Sequence, residues 1–342
     1  MIIHTSRRDL DDISIFLLQT RAGIQPYSLT LSKQPSLPDP SLCIIKQQAI
    51  SITARSDICL SVIHSSNGLL LCRAMVPDGN SYPMFYYIYN PITMKFKHVS
   101  ISKANNRLRH VVDTILLPDH RVLVLEEEFV FINTTYKYHY HISIYSSTSC
   151  VWKTRRKPLD IQGKIDVKIQ GVFWNGTANW VSTDHKDGDQ HVVSVNTKNY
   201  EIRKILLEEN EEVNPKYFSY LGESRGQLHL IVHSDYQCLQ FSIMEAVRDF
   251  SVWRHLYYVD LRSLFWYMIS NSVVVEVTPL YVFRGVKEED DKLLMLVNEN
   301  MIMSCNLTNM TYYEICNIGK IGRRGIPKCV AFPLNPSFSS AF

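Results

Sequence analysis

At 342 residues and 46% hydrophobic content, the chain can bury a large core and is too apolar to be disordered. Its formal net charge of +3 is too small to carry a nucleic-acid or membrane partner through charge alone, and neither is expected. An aromatic content of 11%, including 19 Tyr and 5 Trp, favours β structure.

The eight cysteines, from Cys43 to Cys329, form no C-x-x-C pair. They read as buried free thiols in a reducing compartment, and no zinc site is expected. Arg7, Arg8, Asp9, Asp11 and Asp12 interrupt any signal-peptide core, and no apolar run approaches the ~20 residues of a membrane span. The expectation is a soluble protein of the cytoplasm, the nucleus or both.

In chain order, residues 1–12 read as a flexible N-terminus and 13–338 as one folded domain. Ile13 to Gln19 and Tyr27 to Leu31 are short strand-like runs. Pro35, Pro38 and Pro40 mark a loop, and Cys43 to Ile45 suggest another strand. From Val62 a repeat appears. Tight turns place their second residue at Gly68, His120, Gly176, Gly226 and Asp291, at spacings of 52, 56, 50 and 65 residues. His and Asp tolerate the positive φ that glycine otherwise supplies. Two and four residues after each turn stand Leu70 and Cys72, Val122 and Val124, Ala178 and Trp180, Leu228 and Leu230, Leu293 and Met295. Period-2 spacing puts each pair on one inward sheet face.

The hairpin from Gly171 to Ser182 is the most complete unit. Asn175-Gly176 suits a type I′ turn, and the register sets Gly171 opposite Trp180, so that an indole lies over bare backbone. A second hairpin follows each first one. It pairs a strand residue with one seven places on: Tyr89 with Phe96, Tyr145 with Trp152, Val195 with Ile202, Cys305 with Tyr312. A longer version spans Phe241 to Trp253.

Two hairpins per ~50 residues is the period of a four-stranded blade. The expected fold is an all-β, kelch-like β-propeller of about six blades, with Cys329 to Leu334 closing the ring against residues 13–60. Two β-sandwich domains are the rival architecture, but they do not require the repeat.

No catalytic motif is present, so no catalytic, cofactor-binding or metal-binding residue is assigned and no enzyme activity or cofactor is expected. His139 and His141 share a strand face and read as an outward polar edge. Asp184 to Asp189 reads as a solvated hairpin loop without calcium-ligand spacing. Glu126, Glu127 and Glu128 are consecutive and cannot all face one cleft. Glu208, Glu209, Glu211 and Glu212 and the pair Arg323–Arg324 read as solvated surface. Trp152, Trp174, Trp180 and Trp253 fall at repeat positions and read as packing residues. Binding residues are unassigned and are sought in four loops: Met75 to Met84, Ser102 to His110, Asp184 to Gln190, and Val286 to Asp291.

Several strands carry a resemblance. They include Ser66-Asn67-Gly68-Leu69-Leu70-Leu71-Cys72, Tyr87-Ile88-Tyr89-Asn90-Pro91, Gly171-Val172-Phe173-Trp174-Asn175-Gly176, and Gly222-Glu223-Ser224-Arg225-Gly226. Met244-Glu245 leads on to Trp253 and then Val259-Asp260-Leu261. In this order, over about residues 60–335, the chain resembles the F-box-associated domain of plant F-box proteins. The resemblance implies a propeller that selects a protein substrate or peptide segment for an SCF-type ubiquitin ligase. Family members carry an N-terminal helical F-box that docks a Skp-type adaptor. Residues 1–60 show no such helix, and Leu37-Pro38 is followed by Asp-Pro. Adaptor docking is therefore expected only if an F-box is supplied elsewhere. The alternative reading is a propeller carbohydrate binder or hydrolase.

Overall fold

The computed structural model describes residues 15–20, 23–30, 59–75, 84–90, 93, 95–99, 109–132, 135–161, 163–184, 188–205, 207, 217–233, 239–247, 252–266, 270–271, 274–317 and 330–334. The expectations for residues 1–12, for the Pro35–Pro40 loop and for Cys43 to Ile45 lie outside them.

Strands β1 (Ile15–Thr20) and β2 (Gly23–Thr30) form a hairpin. Blade 1 follows as β3 (Cys59–Ser66), β4 (Leu69–Met75), β5 (Met84–Asn90) and β6 (Lys95–Val99). Blade 2 is β7 (Arg109–Leu116), β8 (Val122–Ile132), β9 (Thr135–Ser146) and β10 (Val151–Thr154). In blade 3 the innermost strand is split into β11 (Lys164–Ile165) and β12 (Val172–Trp174), followed by β13 (Thr177–Thr183), β14 (Gln190–Asn196) and β15 (Ile202–Ile205). Blade 4 is β16 (Tyr217–Ser224), β17 (Gln227–His233), β18 (Gln240–Ala246) and β19 (Trp253–Asp260). Blade 5 is β20 (Val277–Phe283), β21 (Lys292–Val297), β22 (Met301–Asn306) and β23 (Tyr312–Asn317). Every pairing is antiparallel between neighbours.

The first strands of successive blades adjoin one another around a common axis. Strand β24 (Val330–Leu334) stands between β20 and β3 and pairs with β1, from Ile15 opposite Leu334 to Gln19 opposite Val330. The ring thus closes with C-terminal chain against N-terminal chain, as expected for Cys329 to Leu334. The fold is a β-propeller of five blades. The sixth unit expected from residues 13–60 is a three-stranded sheet, β2–β1–β24.

Both faces of each blade are buried, which refines the expectation of one inward face. Along β8, Val122 and Val124 pack on Leu69 and Leu71 of blade 1, while Leu123 and Leu125 pack on Ala178 and Trp180 of blade 3. Strand β17 divides the same way. Leu228 and Leu230 meet Trp174 and Val181, and Ile231 meets Leu293 and Met295. The residues two and four after each of these turns face the preceding blade, and the alternate set faces the next one.

The turns follow from local chemistry. Asn67-Gly68, Asn175-Gly176 and Arg225-Gly226 all have positive φ at both positions, as a type I′ turn requires. His120 has φ 62° in a longer turn. Asp291 does not fit the scheme. Its φ is −66°, it follows a 3-10 turn at Glu288–Asp290, and it serves as a buried anchor described below. In the second hairpins, Tyr89–Phe96, Tyr145–Trp152, Val195–Ile202 and Cys305–Tyr312 are directly opposite, as expected. In blade 4 the expected Phe241–Trp253 match is wrong. Phe241 faces Val259, and Trp253 faces Ala246, which restores the seven-residue interval. These turns share one construction. Asn196 and Asn306 accept backbone N–H bonds from the residues two and three positions on, and Tyr200 and Met310 close the turns with positive φ. Ser146 and Cys150 do the same job in blade 2.

The innermost strands β3, β7, β16 and β20 each carry one bulge along their length. In blade 3 the six residues 166–171 stand in place of a bulge, which is why its innermost strand is split. Gly171 then lies opposite Trp180 as expected, and Asp113 of blade 2 joins them. One Asp113 carboxylate oxygen accepts the Gly171 N–H at 2.8 Å and the Trp180 Nε1–H at 2.9 Å. A Cβ at Gly171 would run into both the indole and the carboxylate, whereas a Cβ at Gly176 meets nothing. Gly171→Ala is therefore expected to cost about 3 kcal/mol in thermal or urea unfolding, through overpacking. Gly176→Ala is expected to cost only about 1 kcal/mol, for its left-handed backbone. Equal losses would contradict this geometry.

Candidate functional site

The blade topology sends the turns to two opposite faces. One face carries the tight turns at Gly68, Gly176 and Gly226, together with the second-hairpin turns. The opposite face carries the β4–β5, β8–β9 and β13–β14 connections and the chain segments that pass from blade to blade. Of the four loops expected to bind, three join strand ends at this opposite face. Their residues 76–83, 102–108 and 185–187 lie outside the described set. The fourth, Val286 to Asp291, sits on the tight-turn face. Its 3-10 turn is held to the neighbouring turn of the same blade, because Thr308 Oγ1 and Asn306 Nδ2 donate to the Glu288 and Glu289 carbonyls at 2.6 and 2.7 Å.

A polar cluster lies between blades 1 and 2, toward the opposite face. It is built where the alternation of β8 continues past Val122 and Val124 into Glu126 and Glu128. The cross-strand partner of Glu126 is His141, and Arg109 pairs with Glu128. His141 Nε2 lies 2.9 Å from Glu128 Oε2, and Arg109 Nε lies 3.4 Å from the same oxygen. Burial, then the Arg109 charge, holds His141 below its ordinary value against the pull of Glu128. His141 is buried, so the outward edge expected for His139 and His141 is corrected: the pair does not project together into solvent. Burial pushes Glu126 up, and Arg109 draws it partly back. Across the cleft stand Tyr86, beside Thr114, and Arg73. Glu126 Oε2 and Arg73 Nε are shielded from solvent without a hydrogen-bond partner, leaving one acceptor and one donor unspent. Among the described residues no three His, Cys, Asp or Glu side chains converge as a metal site.

A second network joins blades 4 and 5 at the tight-turn face. Asp291, 1% exposed, accepts from Tyr257 Oη at 2.7 Å, Arg284 Nη1 at 2.5 Å and the Gly285 N–H at 2.8 Å. Glu245 accepts from Arg254 Nη2 at 2.6 Å and lies 3.4 Å from His229 Nε2. The His229 contact, then Arg254, draws its carboxyl down to about 2 against the opposing effect of burial. Asp113, Tyr140, Tyr220 and Asp291 are blade connectors that no local pattern announces. Tyr140 Oη accepts the Ile165 N–H at 2.9 Å, and Tyr220 Oη accepts the Val282 N–H at 3.2 Å.

The remaining sequence-derived assignments sort plainly. Trp174, Trp180 and Trp253 are buried packing residues, and Trp152 is half-buried against Tyr145. Asp184 and Asp189 close the β13–β14 loop through a backbone bond, with Lys204 3.7 Å from Asp184. Cys72 and Cys305 are buried free thiols, but Cys150 is exposed because it occupies a turn. Glu208 to Glu212 and Arg323–Arg324 lie outside the described residues. No helix among the described residues is long and apolar enough to cross a membrane.

Fold and site together define a β-propeller with stitched blades and a buried polar cluster toward one face. No family model matches the chain. It is similar to an F-box protein of Arabidopsis thaliana, 26% identical over 271 residues, which cover 75% of this chain and 63% of that protein. The chain therefore spans less than two thirds of that relative. Among solved structures, one of two prolyl endopeptidases aligns at a TM-score of 0.42 with 11% identity, covering 75% of this chain and 36% of that one. A lectin bound to α-methyl fucoside aligns at 0.41 with 9% identity, covering 75% and 79%.

The two carboxyls give opposite pH signatures. Glu245 is depressed in the fold, so its stabilisation is present above its ordinary value near 4.5 and is lost as pH falls toward about 2. Glu126 is raised, so its ionisation opposes folding at neutral pH, and that penalty disappears on acidification. Glu245→Gln is expected to flatten the acid limb of stability between pH 4.5 and 2. Glu126→Gln is expected to raise the unfolding temperature at pH 7 and to have no effect below pH 4. Urea titrations across pH test both; a loss of stability for Glu126→Gln at pH 7 would contradict the assignment. Removing Arg284 leaves Asp291 buried with its charge uncompensated, so Arg284→Met is expected to cost about 3 kcal/mol.

Proposed function

We propose that this chain is a non-enzymatic protein-interaction module, the substrate-recognition part of an SCF-type ubiquitin ligase. The observation that carries the reading is the 271-residue similarity to a plant F-box protein, which covers most of this chain. The fold supports it, because a closed ring of stitched blades is a rigid scaffold from which loops and rims present side chains to a protein segment. The substrate is a protein or a peptide segment, met in the cytoplasm or nucleus, with no cofactor, nucleic acid or membrane involved. A Skp-type adaptor is engaged only through an F-box supplied in addition to residues 60–335.

The test is affinity purification of the tagged full chain from plant cells with the proteasome inhibited, with the eluate probed for the Skp-type adaptor and cullin. The expected result is a reproducible protein partner whose ubiquitination and lifetime respond to the level of this chain. The reading would be overturned if no partner were retained while the purified chain bound glycans or turned over glycoside substrates.

A further inference from the structure

We propose that the rim of blade 2 on the face opposite the tight turns is the docking surface, and that its occupant is an acidic protein segment carrying apolar anchors. The inference rests on the protein-recognition reading above and gives it a place and a chemistry.

Strands β8 and β9, of 11 and 12 residues, form the longest hairpin among the described residues and outrun their neighbours. Cross-strand pairing continues to Ile132 opposite Thr135, beyond Glu128, where β7 begins its pairing at Arg109. The alternation that buries Leu123 and Leu125 against blade 3 therefore carries Phe129 and Phe131 past the end of the packed core. They are 48% and 62% exposed. Phe129 is not loose. Its ring is held edge-on by Tyr138, with centroids 5.0 Å apart, and by His110 at 6.3 Å. Lys164 sits over the far side of Tyr138 at 5.6 Å. Aromatic rings fixed in place at a rim supply interface area at little entropic cost.

Part of a basic stretch lies beside this ledge. Residues 153–168 hold six Lys or Arg and two Asp, while the whole chain has a net charge of only +3. The stretch is stitched along β9 by Arg155 N–H to the Ile142 carbonyl, Leu159 N–H to the Tyr140 carbonyl and Ile165 N–H to Tyr140 Oη. Some exposed cations elsewhere are matched, as Arg203 is by Glu201 and Arg262 by Asp260, whereas Lys137, Lys198, Arg225 and Lys287 have no ion pair among the described residues. Arg156, Lys157 and Lys164 lie toward the ledge, are exposed and have no ion-pair partner among the described residues, whereas Lys153, opposite Ile144, lies toward the other end of the hairpin. Of the hairpin's carboxylates, Glu126 is buried and Glu128 is engaged by Arg109 and His141, while Glu127, on the Phe129 face opposite Tyr140, offsets part of this charge. Fixed apolar rings beside unmatched positive charge fit a segment that alternates Asp or Glu with Leu, Ile or Phe. The T-shaped clamp on Phe129 leaves no stacked platform of the kind that bases need, which favours protein over single-stranded nucleic acid.

The test is selection of a displayed random peptide library, about twelve residues long, on the immobilised full chain, with a single-stranded uridine oligonucleotide assayed in parallel. The expected outcome is enrichment of peptides that are acidic and carry at least one large apolar residue. Binding of these peptides should fall about tenfold or more in Phe129→Ser/Phe131→Ser and, separately, in Arg156→Glu/Lys157→Glu. All four positions are exposed, so both variants should keep the parent unfolding temperature. Selection of neutral or basic peptides, selection of none, binding unmoved by either variant, or tighter binding of the oligonucleotide would each overturn the proposal. If the variants keep the protein partner retained by the parent chain, the docking surface is wrong and the recognition reading stands. If the parent retains no partner, the recognition reading itself fails.

Discussion

Each blade has two apolar faces and cannot stand alone. Period-2 alternation sends half of β8 into the blade 1 interface and half into the blade 3 interface, and β17 repeats the division between blades 3 and 5. A sheet with such strands exposes hydrocarbon on one side or the other until a neighbour covers each side. A ring supplies both neighbours for every member, and the β24–β1 pairing supplies the join. That constraint sets the rest: the parallel orientation of innermost strands, the two unlike faces and the need for polar devices that fix one blade against the next.

Those devices are side chains that reach from one blade to the next, two of them, Asp113 and Tyr220, standing beside bulges. Asp113 reaches the Gly171 backbone and the Trp180 indole, Tyr140 and Tyr220 accept backbone N–H groups from the following blade, and Trp174 donates to the Gly226 carbonyl at 2.8 Å. Each buried polar group that finds such a partner avoids a desolvation penalty of about 1–3 kcal/mol, and each fixes an inter-blade angle that apolar contact alone leaves soft. On the tight-turn face the Asp291 and Glu245 networks complete the stitching. On the opposite face the cluster at Glu126 leaves groups unspent, and the β8–β9 hairpin projects.

Local features were legible in the sequence because their causes are local. Asn-Gly pairs set type I′ turns, seven-residue intervals set the second hairpins, and the resulting period gave the propeller. The Gly171–Trp180 contact followed from register alone. What was not legible depends on distant partners. Asp291 looked like a turn residue, but Tyr257, 34 positions earlier, and Arg284 make it a buried anchor. His141 looked exposed because its strand alternates with tyrosines, and only the neighbouring blade buries it. Trp253 keeps the seven-residue rule with Ala246, a small residue that carries no aromatic signal of the pairing. The attachment of residues 155–165 along β9, which no local pattern announces, brings Arg156, Lys157 and Lys164 toward Phe129 and Phe131.

The most direct test of closure is hydrogen exchange in the full chain compared with a chain ending at residue 328. The account predicts that losing β24 strips amide protection from β1 and β2 and also from the innermost strands of blades 1 and 5, which β24 separates and joins. Loss of protection confined to β1 and β2, with blades 1 and 5 unchanged, would contradict a ring whose blades depend on closure.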